Sequence, residues 1–102
     1  MQLPEDPFVR ELLPEFIDSW IDELNTNFPQ LFADKNSSEL YRMAHTMKGS
    51  CYQFGLKELG DVGVELMMLI KNEDWEKVES QCNFVVAKLV EYKEYVSKNL
   101  IV

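Results

Sequence analysis

The residues able to do chemistry converge on one stretch, Ala44-His45-Thr46-Met47-Lys48-Gly49-Ser50-Cys51. His45 is the only histidine among 102 residues, and histidine is the one side chain that titrates near neutrality before a protein perturbs it. If the stretch is helical, Leu40, Met43, Ala44, Met47, Cys51 and Phe54 fall at i, i+3, i+4 and i+7 and form one apolar stripe. At roughly 100° per residue His45 lies about 140° from the centre of that stripe, so its imidazole is expected to face solvent. Tyr41, Arg42 and Lys48 lie three or four residues away, within side-chain reach. Gly49 sits one turn further along the same outer face. A glycine in an exposed helix interior costs about 1 kcal/mol relative to alanine, and no turn or core contact in the sequence offsets this. Clearance explains it: something large must approach the imidazole.

Other chemistries fit these residues less well. With no second histidine and neither cysteine on the face of His45, a metal site has no ligand set. Cys51 points into the stripe and has no base beside it, which argues against a thiol nucleophile. On position alone, His45 could be an inert surface histidine.

The stretch His45-Thr46-Met47-Lys48-Gly49-Ser50, followed by Tyr52-Gln53-Phe54-Gly55-Leu56, resembles the signature of histidine phosphotransfer domains. That pattern is a histidine, a variable residue, an apolar residue and Lys-Gly-Ser, with a glycine about ten residues after the histidine. Met47 stands where leucine is commoner and Cys51 where a small residue is usual; both lie on the buried stripe. The resemblance continues through Leu59-Gly60-Asp61-Val62-Gly63 and, more loosely, over residues 8–98. A sensor-kinase dimerisation helix also carries an exposed histidine, but an acid normally follows it, where Thr46 stands here.

The resemblance implies a phosphoryl carrier without kinase activity of its own. His45 would be the phosphorylated nucleophile, taking the group from a receiver-domain aspartyl phosphate and passing it to another receiver. Lys48 would steady the phosphoryl oxygens as a point charge, and Tyr41, Arg42, Gly49 and Tyr52 would form the docking surface. Ser50 is given only packing or polar support. No cofactor is expected on this chain; magnesium would sit on the partner, a response-regulator receiver that a hybrid sensor kinase can also carry. The alternative is a binding module that keeps the fold but docks a partner without phosphate chemistry.

Composition is compatible with these expectations. The length suggests one domain, residues 1–102, with a modest core. A net charge of −8 and a pI near 4.5 argue against nucleic acid. Acidity is uneven: residues 5–23 hold seven acids against Arg10, whereas residues 36–57 hold Arg42, Lys48 and Lys57 against Glu39. Cys51 and Cys82 read as buried free thiols in a reducing compartment. The start lacks a basic, apolar leader pattern, and the longest apolar run, Leu66 to Ile70, is too short to span a bilayer. The expectation is a soluble cytoplasmic monomer.

Four elements must position His45. Asp6-Pro7 is an N-cap followed by proline at N1. Phe8 and Leu12 suggest a short first helix across one end, with Pro14 allowing a second start or a kink. Phe16, Ile17, Trp20, Ile21, Leu24 and Phe28 then form a stripe that Pro29 should end or bend near Asn27. Asn36 and Glu39 resemble a capping box for the histidine helix, which runs to about Phe54 and the stop at Gly55. A third helix over 56–71 places Gly60 and Gly63 on or beside its buried face, where close helix packing explains them. Asp74 is the expected N-cap of a fourth helix over 75–98, which buries a stripe from Trp75 to Val96. Long amphipathic helices and short loops predict an all-α, antiparallel up-down four-helix bundle, with or without the short N-terminal helix.

Overall fold

The computed structural model describes residues 3–99 and contains four helices and, among those residues, no strand. They are α1 (Pro7–Ala33), α2 (Ser37–Gln53), α3 (Lys57–Lys71) and α4 (Trp75–Asn99). Each packs on the next and α4 closes on α1, giving the up-down bundle. The rod measures 44 × 20 × 17 Å. A 27-residue helix at 1.5 Å per residue spans about 40 Å, so α1 runs nearly its whole length.

One connection is used three times. Each loop has three residues, and each is a Schellman turn with a left-handed middle residue: Lys35 (φ 52°), Gly55 (φ 77°) and Glu73 (φ 57°). The N–H groups of Asn36, Leu56 and Asp74 donate to the carbonyls of Leu31, Cys51 and Leu69 at 3.0, 2.8 and 2.9 Å. The same three residues then open the next helix, their carbonyls accepting from Leu40, Gly60 and Val78 at 2.9, 3.0 and 3.0 Å. One residue thus closes a helix and starts its antiparallel neighbour. At Asn36 the side chain also accepts from the Glu39 N–H at 3.3 Å. The capping box is only half formed: the Asn36 N–H goes to Leu31, and the Glu39 carboxylate lies 3.6 Å from Arg42 instead.

The expected short N-terminal helix is not a separate element. Asp6 caps α1 by accepting from the Phe8 N–H at 2.8 Å with Pro7 in the first turn, but the helix continues through both Pro14 and Pro29 to Ala33. Both prolines are exposed. The carbonyls they leave without an N–H partner, those of Arg10 and Asn25, belong to exposed residues where water can serve them. The buried stripe Leu13, Ile17, Trp20, Leu24 and Phe28 crosses both positions without a break, so packing overrides the local penalty. Phe8 and Leu12 are correspondingly 77% and 51% exposed and cross no end of the bundle.

The core is apolar throughout, with no buried polar or charged side chain among the described residues. Leu13, Ile17, Leu40, Met47, Leu59, Leu66, Val85 and Leu89 are among its best-shielded members. Phe16 stacks on Phe54 at 4.0 Å and closes the core beside the α2–α3 turn. At the opposite end Phe32 meets Trp75 edge-on at 6.2 Å, and the Lys35 ammonium sits 3.8 Å from the Phe32 ring centre. Cys51 and Cys82 are buried free thiols, both pushed up to about 12 by burial.

Candidate functional site

α2 buries Leu40, Met43, Ala44, Met47 and Cys51 against the core. Its opposite face carries Tyr41, Arg42, His45, Gly49 and Tyr52, all exposed, with Lys48 half-buried at its margin. The structure therefore brings every residue singled out from the sequence onto one surface. Among the described residues neither His45 nor Lys48 is tied up in an ion pair. Arg42 is held only loosely by Glu39 on an exposed side chain. The imidazole and the Lys48 ammonium are both available to an incoming group.

The glycines divide into two kinds. A Cβ built on Gly49 meets nothing within 4 Å, so the space beside His45 is open. A Cβ on Gly63 would lie 2.9 Å from the Cα and Cβ of Lys48 and 3.0 Å from its N. α3 thus rests directly on the backbone of the turn that carries the lysine. One turn earlier in α3, a Cβ on Gly60 would fall within 2.8 Å of Cδ1, Cε1 and Cζ of Tyr52. The ring fills the room the missing methyl leaves. Close packing, as expected from the sequence, accounts for both buried glycines.

Tyr52 is fixed at its tip as well. Its hydroxyl donates to the Asp61 carboxylate at 2.6 Å, and Lys57 donates to the other carboxylate oxygen at 3.0 Å. The hydrogen bond from Tyr52, then that from Lys57, holds Asp61 below the usual carboxylate range; the same bond raises the Tyr52 phenol.

α3 supplies site residues that the sequence reading missed. Tyr41, Lys48, Val64, Met67, Met68 and Lys71 line a shallow hollow between α2 and α3. A second hollow, sharing Tyr41 and Lys71, continues toward Ser37 and Ile70. Met68 is 63% exposed and Val64 41%. The signal was present: Val64 and Met68 are an i, i+4 apolar pair outside the core stripe of α3. The result is an apolar strip edged by two lysines beside the histidine. Among the described residues no group of three or more His, Cys, Asp or Glu side chains is placed to hold a metal. Among the same residues no helix is long and apolar enough to cross a membrane.

A four-helix bundle with one exposed, unpaired histidine, a lysine one turn on and an open glycine beside them belongs to the histidine-bearing helical bundles. The chain matches the family model of the Hpt domain over residues 10–97 and is a member of that family. Its members perform histidine phosphotransfer in two-component phosphorelays, act as phosphocarriers and interact with response-regulator receiver domains. No curated protein and no solved structure gives a significant match to the chain.

Proposed function

We propose that the chain is a phosphorelay carrier in which His45 accepts a phosphoryl group from a receiver aspartyl phosphate and passes it to the aspartate of a second receiver. The observation that carries this reading is the pairing of an exposed, unpaired His45 with an open Gly49 on the same face. In the forward step an imidazole nitrogen lone pair attacks phosphorus. The N–P bond forms as the P–O bond to the aspartyl carboxylate breaks, and the carboxylate leaves with the electron pair. The second step is the reverse on another receiver. Little covalent work falls to the carrier; positioning and charge stabilisation dominate.

Lys48 meets the phosphoryl oxygens, with its stem supported where α3 rests on its backbone. Tyr41, Arg42, Gly49 and Tyr52 form the α2 side of the docking face, and Val64 and Met68 extend it onto α3. The magnesium ion and the reacting aspartate belong to the receiver. The chain acts as one domain, as a monomer in the cytoplasm, with no nucleotide chemistry of its own. Incubation with a phosphorylated receiver is the test: label should move to the wild-type chain and not to His45→Gln, whose fold should be intact. Labelling of the wild type by ATP and magnesium alone would overturn the carrier reading.

A further inference from the structure

The carrier reading leaves Asp61 without a role, although its two carboxylate oxygens are both engaged on the edge of the docking face. Tyr52 lies two helical turns beyond His45, about 10.5 Å along α2. A standard interface of about 800 Å² per partner is roughly 30 Å across, so a receiver seated on His45 must also cover Tyr52. The tyrosine is 41% exposed, yet the structure holds it in two ways. Its ring lies in the space left by Gly60, and its hydroxyl donates to Asp61 at 2.6 Å, a length typical of a charge-assisted O–H···O⁻ bond. Lys57, at 3.0 Å from the second oxygen, balances the carboxylate so that the ledge carries no bare charge. A half-exposed aromatic that is already immobile loses little further entropy on contact, which is what makes tyrosine an effective interface anchor.

We propose that Tyr52 is a specificity-determining contact for the receiver, and that Asp61 is a positioning residue that holds the ring as a rigid ledge for an apolar side chain of that partner. The proposal rests on the carrier reading above. It separates docking from chemistry: Asp61 touches neither His45 nor the phosphoryl group, so its loss should weaken encounter and leave the transfer step alone.

The experiment is single-turnover transfer between the full chain and a phosphorylated receiver that exchanges with the wild type, across receiver concentrations. Asp61→Ala should raise the half-saturating concentration about threefold to tenfold, the range expected for re-ordering one side chain on binding. The rate at saturation should not change. Tyr52→Phe, which keeps the ring and removes the hydroxyl, should reproduce that shift, and Tyr52→Ala should exceed it. Asp61→Asn, which can still accept from the hydroxyl, should stay within about twofold of wild type. Adding Asp61→Ala to Tyr52→Phe should do nothing more, because the aspartate acts through the tyrosine. Unchanged half-saturation in Asp61→Ala overturns the proposal, as does a full further loss in the double variant or an effect confined to the saturated rate. A wild type that accepts phosphate from no receiver sinks the carrier reading and this proposal together; normal transfer with an inert Asp61 sinks this proposal alone.

Discussion

Gly49 and Gly63 lie on facing helices around the same lysine, and alanine at each should move stability in opposite directions. At Gly49 a Cβ meets nothing within 4 Å, so the substitution only removes the helix penalty of glycine. Gly49→Ala should stabilise the fold by about 0.5–1 kcal/mol, a rise in melting temperature of roughly 2–8 °C for a domain of this size. At Gly63 the same methyl would sit 2.9 Å from the Cα of Lys48, which is backbone and cannot rotate away. The helices must part there, and overpacking of this kind costs about 1–3 kcal/mol after the propensity gain has been absorbed. Thermal and denaturant unfolding read both signs directly. Transfer assays add the functional half. Gly49→Ala should transfer slightly more slowly than wild type, whereas Gly49→Gln should melt no lower than wild type and transfer far more slowly, since a long side chain fills the approach to His45. A Gly49→Gln protein that melts well below wild type would refute the claim of open space. One that transfers at the wild-type rate would refute the claim of clearance.

Lys48→Ala should fold normally and slow transfer by about one to two decades, the effect of a charge contact worth about 1–3 kcal/mol in the transition state; rapid-quench transfer kinetics measure it. Glu73 holds a left-handed φ of 57° with only a side-chain penalty to show for it, so Glu73→Gly should raise stability by about 0.5–1 kcal/mol in denaturant unfolding. The same change at Lys35 should gain less, because it weakens the cation–π contact with Phe32 at 3.8 Å. Cys51 and Cys82, buried and pushed up to about 12, should resist a thiol reagent at pH 8 at a rate set by unfolding, and react at once in denaturant. The Tyr52–Asp61 contact gives a pH signature: Asp61 is lowered in the folded state, so the contact's contribution is complete above the ordinary carboxylate value and disappears as pH falls through the lowered one. Tyrosine-resolved NMR in a pH titration should show the Tyr52 ring resonances shift in that acidic window, and again at alkaline pH when the hydroxyl loses the proton it donates.

The periodicity of α2 was enough to place His45 on the outer face, because one helix has a single phase and five apolar positions fix it. Gly55 was legible as a stop, since glycine tolerates the left-handed φ of 77° that the turn needs. Lys35 and Glu73 were not, because nothing in a lysine or a glutamate announces that tertiary packing will hold it in that conformation. Pro14 and Pro29 misled for the opposite reason. Their local penalty is real, but both face solvent while a five-residue stripe on the other side keeps α1 whole. The α3 half of the apolar strip was hidden by a choice of face: with the core stripe assigned, Val64 and Met68 looked like ordinary surface residues. Only the packing of α3 against the Lys48 turn shows that they share a groove with Tyr41. The latch on Tyr52 joins residues nine apart across a turn, a pairing that helical spacing does not predict.

The most direct test of the carrier claim is to find where the phosphoryl group goes. The chain is incubated with a phosphorylated receiver, digested under alkaline conditions and mapped by mass spectrometry, with His45→Gln carried in parallel. The account predicts one acid-labile, base-stable phosphoryl group on His45, chased off by a second receiver. It also predicts no label in His45→Gln, with a melting temperature close to wild type because the replaced side chain is exposed. Label on any other residue, or undiminished label in His45→Gln, would contradict it.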